Sequence, residues 1–134
     1  MKKLIVALLV GSLLAIPLFP DVLLGKQITV TAGTAIRVTT GNLMASSILI
    51  QMKHGGSGVG YVLYADPSAT CNVGAAGTTL VAELAPANPL APGGSFTYPS
   101  NNDSTTQQGG FSPAYFCVDG SNSGDVIIVS WSQR

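Results

Sequence analysis

Between Ser47 and Asp66 the chain reads SILIQMKHGGSGVGYVLYAD. No other stretch restricts the possible folds as much. Ile48, Ile50 and Met52 alternate with Leu49, Gln51 and Lys53. Beyond the glycines, Val59, Tyr61, Leu63 and Ala65 alternate with Gly60, Val62, Tyr64 and Asp66. A period of two in β-branched and aromatic residues marks a strand on each side. The linker His54-Gly55-Gly56-Ser57-Gly58 supplies residues that accept positive φ, so the stretch predicts a β-hairpin. Its apolar phase predicts a core containing Ile48, Ile50, Val59, Tyr61 and Leu63, joined by Val126 and Ile128 from the last apolar run.

The remaining apolar runs are short and look like further strands. Ile28, Val30 and Ala32 alternate with polar neighbours, and Ile36 and Val38 resume the pattern before a Thr40-Gly41-Asn42 turn. Asp66 to Gly77 reads as loop, and Leu80, Ala82 and Leu84 as a strand. Pro86, Pro89 and Pro92 then forbid regular ladder pairing between Ala85 and Gly94. Phe96 and Tyr98 mark another strand. Pro99 to Gly110 is polar and small, the pattern of a long exposed loop. Tyr115 to Val118 and Val126 to Trp131 close the chain, joined by DGSNSG as a hairpin turn. About eight strands with no amphipathic helix predict an all-β protein, an antiparallel β-sandwich or a jelly-roll-like fold.

The start of the chain has a different character. After Met1-Lys2-Lys3 comes LIVALLVGSLLAIPLF, Leu4 to Phe19, almost wholly apolar. It has the first two parts of a secretory signal but no clear small-x-small cleavage site. Three readings stay open: an uncleaved membrane anchor, a cleaved signal, and a hydrophobic arm docked on another protein. In the anchor reading Leu4, Ile5, Val6, Leu8, Leu9, Leu13, Leu14, Ile16 and Phe19 form an N-terminal hydrophobic helix. The helix before Pro17 would measure about 20 Å at 1.5 Å per residue. That is short of the roughly 30 Å hydrocarbon layer. The chain therefore divides into a hydrophobic segment, 1–25, and a β domain, 26–134.

Charge narrows the function. Only 9% of residues are charged. Beyond the first segment Lys26, Arg37, Lys53 and Arg134 stand against Asp66, Glu83, Asp103, Asp119 and Asp125, all scattered singly. No basic patch exists to hold a phosphate backbone, which argues against nucleic-acid binding. His54 is the only histidine and lies beside a turn. No serine-histidine-aspartate signature, HExxH or phosphate loop occurs. The expectation is a protein that is not an enzyme and carries no cofactor or metal. Asp119 to Asp125 spaces side-chain oxygens at alternate positions but lacks the sixth-position glycine and twelfth-position glutamate of a calcium-binding EF-hand. Cys71 and Cys117 are either a disulfide, worth about 4 kcal/mol across that loop in an oxidising compartment, or two free thiols. The aromatic residues sit on strand patterns and read as core.

Three segments in order carry a resemblance: ITVTAGTAIRVTT (28–40), ILIQMKHGGSGVGYVLYAD (48–66) and FCVDGSNSGDVIIVSW (116–131). Together they resemble small β-sandwich virion proteins of bacteriophages, of the kinds that decorate, cement or cap capsids. The resemblance implies a non-enzymatic structural role: a minor capsid, cement or decoration protein, oligomeric within an assembly and contacting other virion proteins. It transfers no catalytic residue. The apolar start is not part of that pattern, and points to a virion protein attached to a lipid membrane. The competing expectation is an exported bacterial β-sandwich, secreted or periplasmic, that binds a ligand or receptor.

Overall fold

A computed structural model describes residues 22–41, 43–88, 90–99 and 110–133. Its strands are β1 (Val22–Thr29), β2 (Ile36–Arg37), β3 (Ala45–Met52), β4 (Gly60–Ala65), β5 (Thr78–Leu84), β6 (Ser95–Tyr98), β7 (Phe116–Gly120) and β8 (Val126–Gln133). They form two antiparallel four-stranded sheets, ordered β1-β8-β3-β6 and β2-β7-β4-β5. No α-helix occurs among the described residues. The expected all-β sandwich is present, and the strands lie where the alternation placed them except β1, which runs over Val22–Thr29 and stops short of the Val30 and Ala32 expected in it.

The expected hairpin is not. β3 pairs with β6 and β8, whereas β4 pairs with β5 and β7 in the opposite sheet. The glycine-rich linker is an arch between sheets. Five residues at about 3.3 Å each reach roughly 17 Å, enough to cross the roughly 10 Å between packed sheets. The link from β7 to β8, also read as a hairpin turn, is a second arch of the same kind. Only β4 and β5 are consecutive strands within one sheet.

The two arches lock together. Both carboxylate oxygens of Asp125 accept backbone N–H groups, from Ser57 at 3.2 Å and Gly58 at 2.7 Å. Ser121 Oγ accepts from Val59 N, and Ser121 N donates to Val59 O, each at 2.9 Å. The link from β1 to β2 joins them, since Val30 N donates to Asp125 O and Gly124 N to Val30 O. Glycine at 58 is required by this contact: a Cβ there would stand 2.7 Å from both Asp125 Oδ2 and Ser121 Oγ. Gly55 holds φ at +91°, where L side chains are strained.

Between the sheets lie Ile28, Val38, Ile48, Ile50, Met52, Val62, Leu84, Phe116, Val118, Ile127, Val129 and Trp131, all buried in one cluster. The expected phase holds in β3 and fails in two strands. In β8 the inward residues are Ile127 and Val129, and Val126 and Ile128 are only half-buried. Four consecutive aliphatic residues offer both phases, and the buried one continues into Trp131. In β4, Val62 faces the main core, while Tyr61, and Val59 just before the strand, are half-buried.

Leu63 is fully buried, but in a second cluster with Ala65, Cys71 and Cys117. Cys71 and Cys117 are joined by a disulfide with Cα atoms 6.5 Å apart. It pins the loop from Asp66 to Gly77 onto β7. Arg37 closes the same region. Its guanidinium donates to the carbonyls of Ala114 at 2.8 Å and Ala65 at 3.3 Å, and to those of Asp66 and Ala69 at 2.5 Å each.

The hydrophobic residues Leu4, Ile5, Val6, Leu8, Leu9, Leu13, Leu14, Ile16 and Phe19 lie outside the described residues, and with them the expected helix. The boundary drawn at Lys26 falls inside β1, because Val22, Leu23, Leu24 and Gly25 already pair with Gln133, Ser132, Trp131 and Ser130. Among the described residues no helix is long and apolar enough to cross a membrane.

Candidate functional site

One end of the sandwich carries a pocket of about 300 Å³, built from strand ends. Tyr64 comes from the end of β4 and Tyr98 from the end of β6. Phe111 is held by a backbone bridge to Ala45, with N–H···O distances of 2.9 and 2.8 Å. A single 3₁₀ turn, Pro113–Tyr115, is capped by Ser112, whose hydroxyl accepts from Ala114 N at 3.3 Å. This turn delivers Tyr115 and leads into Phe116. Met44, Gly110 and Ser112 complete the lining.

The rings form a continuous cluster. Tyr64 stacks on Tyr115 at 5.3 Å between centroids, with planes 18° apart. Tyr98 meets Phe111 edge to face at 5.0 Å. Phe116 is the hub, within 5.5 to 5.9 Å of Tyr98, Tyr64, Phe111 and Phe96. Such contacts add about 0.5–1.5 kcal/mol per pair beyond area burial. The sequence pattern assigned these rings to the core. Phe116 is there, but Tyr64 is 44% exposed and Met44 is 45% exposed. No charged side chain lines the pocket. Burial pushes the Tyr64 phenol above its ordinary value of 10.0, and Tyr115, Tyr98 and Asp66 push it the same way. The pocket offers apolar faces and phenol hydroxyls. It suits an uncharged, partly apolar contact.

The opposite end is polar. Lys53, His54, Gly55, Gly56, Gly124, Asp125 and Val126 line a cleft of about 180 Å³. His54 sits in an exposed turn, as its position in the sequence suggested. Lys53 Nζ donates to Gln27 Oε1 at 3.2 Å. Asp125 is occupied by the arch. Two further carboxylates also bind backbone: Asp119, in β7, is buried with Oδ1 accepting Gly120 N at 2.7 Å, and Asp66 Oδ1 accepts Ser68 N at 2.8 Å. The Ser68 hydroxyl and then its amide hold the Asp66 carboxyl below its ordinary value against an opposing effect of burial, with a lesser contribution from Arg37. Among the described residues no group of three His, Cys, Asp or Glu is placed to hold a metal ion.

Sequence reasoning missed Arg37 and the pocket. A lone arginine inside an Ile-Arg-Val strand, in a chain this poor in charge, is the signal that a buried set of carbonyls needs a donor. Tyrosines at the ends of three different segments are the corresponding signal for the pocket.

No protein-family model, curated protein or solved structure matches this chain.

Proposed function

We propose that this chain is a non-enzymatic structural protein of a bacteriophage virion, a minor capsid, cement or decoration protein, held to a lipid layer by its N-terminal segment. The strand order carries the reading. Sheets ordered 1-8-3-6 and 2-7-4-5, with one in-sheet connection, follow the wrapping of an eight-stranded jelly roll. That architecture serves viral capsid domains, and also lectins and cupins. Fold alone does not fix function, so the surface chemistry must agree. The chain has 9% charged residues. Its turn carboxylates are spent on backbone N–H groups, and its loops are tied down by a disulfide and by Arg37. This is the economy of a rigid building block whose partners are other virion proteins, in an oligomeric assembly, with no nucleic acid. Mass spectrometry of purified particles tests it: the chain is present in them in stoichiometric amount, and its absence refutes the proposal.

The aromatic pocket and the disulfide favour one competitor, an exported bacterial β-sandwich that is secreted or periplasmic and binds a ligand or receptor. Neighbouring secretion genes, in place of capsid and packaging genes, would select it.

A further inference from the structure

We propose that the aromatic end of the sandwich rests in the headgroup region of a lipid bilayer, so that the β domain stands end-on against the membrane. The inference rests on the anchor reading above and adds an orientation to it. Two separate observations meet at that end.

The first is where the chain enters the fold. Val22 pairs with Gln133, Gln133 with Ala45, and Ala45 with Phe111. These four residues make one row across the first sheet. At about 4.8 Å per strand, Val22 lies roughly 14 Å from Phe111 at the same level. Residues 1–21, with the apolar run Leu4 to Phe19, therefore join the domain on the pocket side. A segment in the bilayer that continues directly into Val22 brings this end, and not the other, to the lipid surface.

The second is what that end displays. Val22 and Leu23 are 56% and 75% exposed, and Met44 and Tyr64, which line the pocket, are 45% and 44% exposed. Tyr98, Phe111 and Tyr115 stand behind them around the pocket. Tyrosines with an apolar body and a polar tip, among aliphatic side chains and around a pocket lined by no charged side chain, match the interfacial layer of a membrane. Of the described charged side chains at that end, Arg37 is held by four carbonyls and Asp66 by Ser68. In sequence Asp21 and Arg134 adjoin the row at Val22 and Gln133, and a charge costs little in the headgroup layer. The far end instead presents Lys53, His54 and the hydroxyls and amide of Ser121, Asn122 and Ser123, which suit water, beside the exposed Leu90 of the β5–β6 connection. Residues 100–109 read SNNDSTTQQG and contain no large apolar side chain.

The test uses the full chain in phosphatidylcholine vesicles whose acyl chains carry bromine, which quenches nearby indoles. Trp131 gives a constant background. Met44→Trp and, independently, Tyr64→Trp add a reporter at the aromatic end. His54→Trp adds one at the polar end. The proposal expects the added emission of the first two to be largely lost in brominated vesicles and that of His54→Trp to be kept. Equal quenching at both ends, or a blue-shifted but unquenched reporter at position 44 or 64, overturns the end-on orientation. The second outcome means that the pocket is filled by protein, either the chain's own N-terminal segment or a second copy. Failure of the full chain to float with vesicles overturns the anchor reading itself, and the orientation with it.

Discussion

Removing the Asp125 carboxylate should loosen the polar end of the sandwich by a predictable amount. In Asp125→Ala the backbone N–H groups of Ser57 and Gly58 lose their acceptor. The Gly58 bond is 2.7 Å long and partly buried. A hydrogen bond to a charged group of this kind contributes about 1.5–3 kcal/mol. The Ser57 bond is longer, at 3.2 Å, and exposed. Water replaces it, and its loss adds little. The expected cost is therefore about 2–3 kcal/mol. Asp125→Asn keeps one accepting oxygen and should cost roughly half as much. Ser121→Ala removes only the exposed acceptor of Val59 N and should cost less than about 1 kcal/mol. Urea unfolding followed by circular dichroism gives all three values on one scale. A loss under about 1 kcal/mol for Asp125→Ala, or a larger loss for Ser121→Ala, would refute the interlocked arches. A true hairpin at 47–66 would give that result, because its turn would not depend on Asp125.

The phase of β8 is checked by a pair of substitutions. Ile127→Ala, at a fully buried position, should cost about 2–5 kcal/mol, and Ile128→Ala on the half-buried face under about 1.5. Equal losses would mean that the strand faces are misassigned. Reducing the Cys71–Cys117 bridge opens a 46-residue separation, worth about 4 kcal/mol in the chain-entropy model. The urea midpoint should fall on adding dithiothreitol, and an unchanged midpoint would contradict a stabilising bridge. Tyr64 titrates above its ordinary value in the folded state. Its contribution to stability is thus complete below the unfolded value and is lost as pH rises from there through the folded value. Tyrosinate absorbance should show a late-titrating phenol that disappears in Tyr64→Phe, and its persistence in that variant would assign it elsewhere.

Local pattern made the strands legible and left their partners hidden. Alternation in Ile48-Leu49-Ile50-Gln51-Met52 set both the strand and its buried face, because only one phase is apolar throughout. In Val126-Ile127-Ile128-Val129 both phases are apolar, and the choice is made by packing against β1 and β3. Tyr61 and Leu63 misled for a different reason. They face away from the main core, but the loop anchored by Cys71 covers Leu63 and builds a second cluster there. The two missed arches share one cause. A linker of five residues rich in glycine closes a hairpin or crosses between sheets equally well, and distant strands decide between them. The pocket was illegible because Tyr64, Tyr98 and Tyr115 are 17 or more positions apart in the chain and meet only through the sheet registers.

Extraction of purified particles distinguishes a lipid-anchored chain from a peripheral one. A virion protein anchored in lipid by Leu4 to Phe19 stays with the particle in concentrated salt, since salt screens charge and leaves apolar burial intact. Mild detergent, by dissolving the lipid, releases it. The chain should be recovered in the detergent fraction with its residues 4–19 still attached. Release by salt alone, or a mature N-terminus near Lys26, would contradict it and leave a peripheral or secreted β-sandwich.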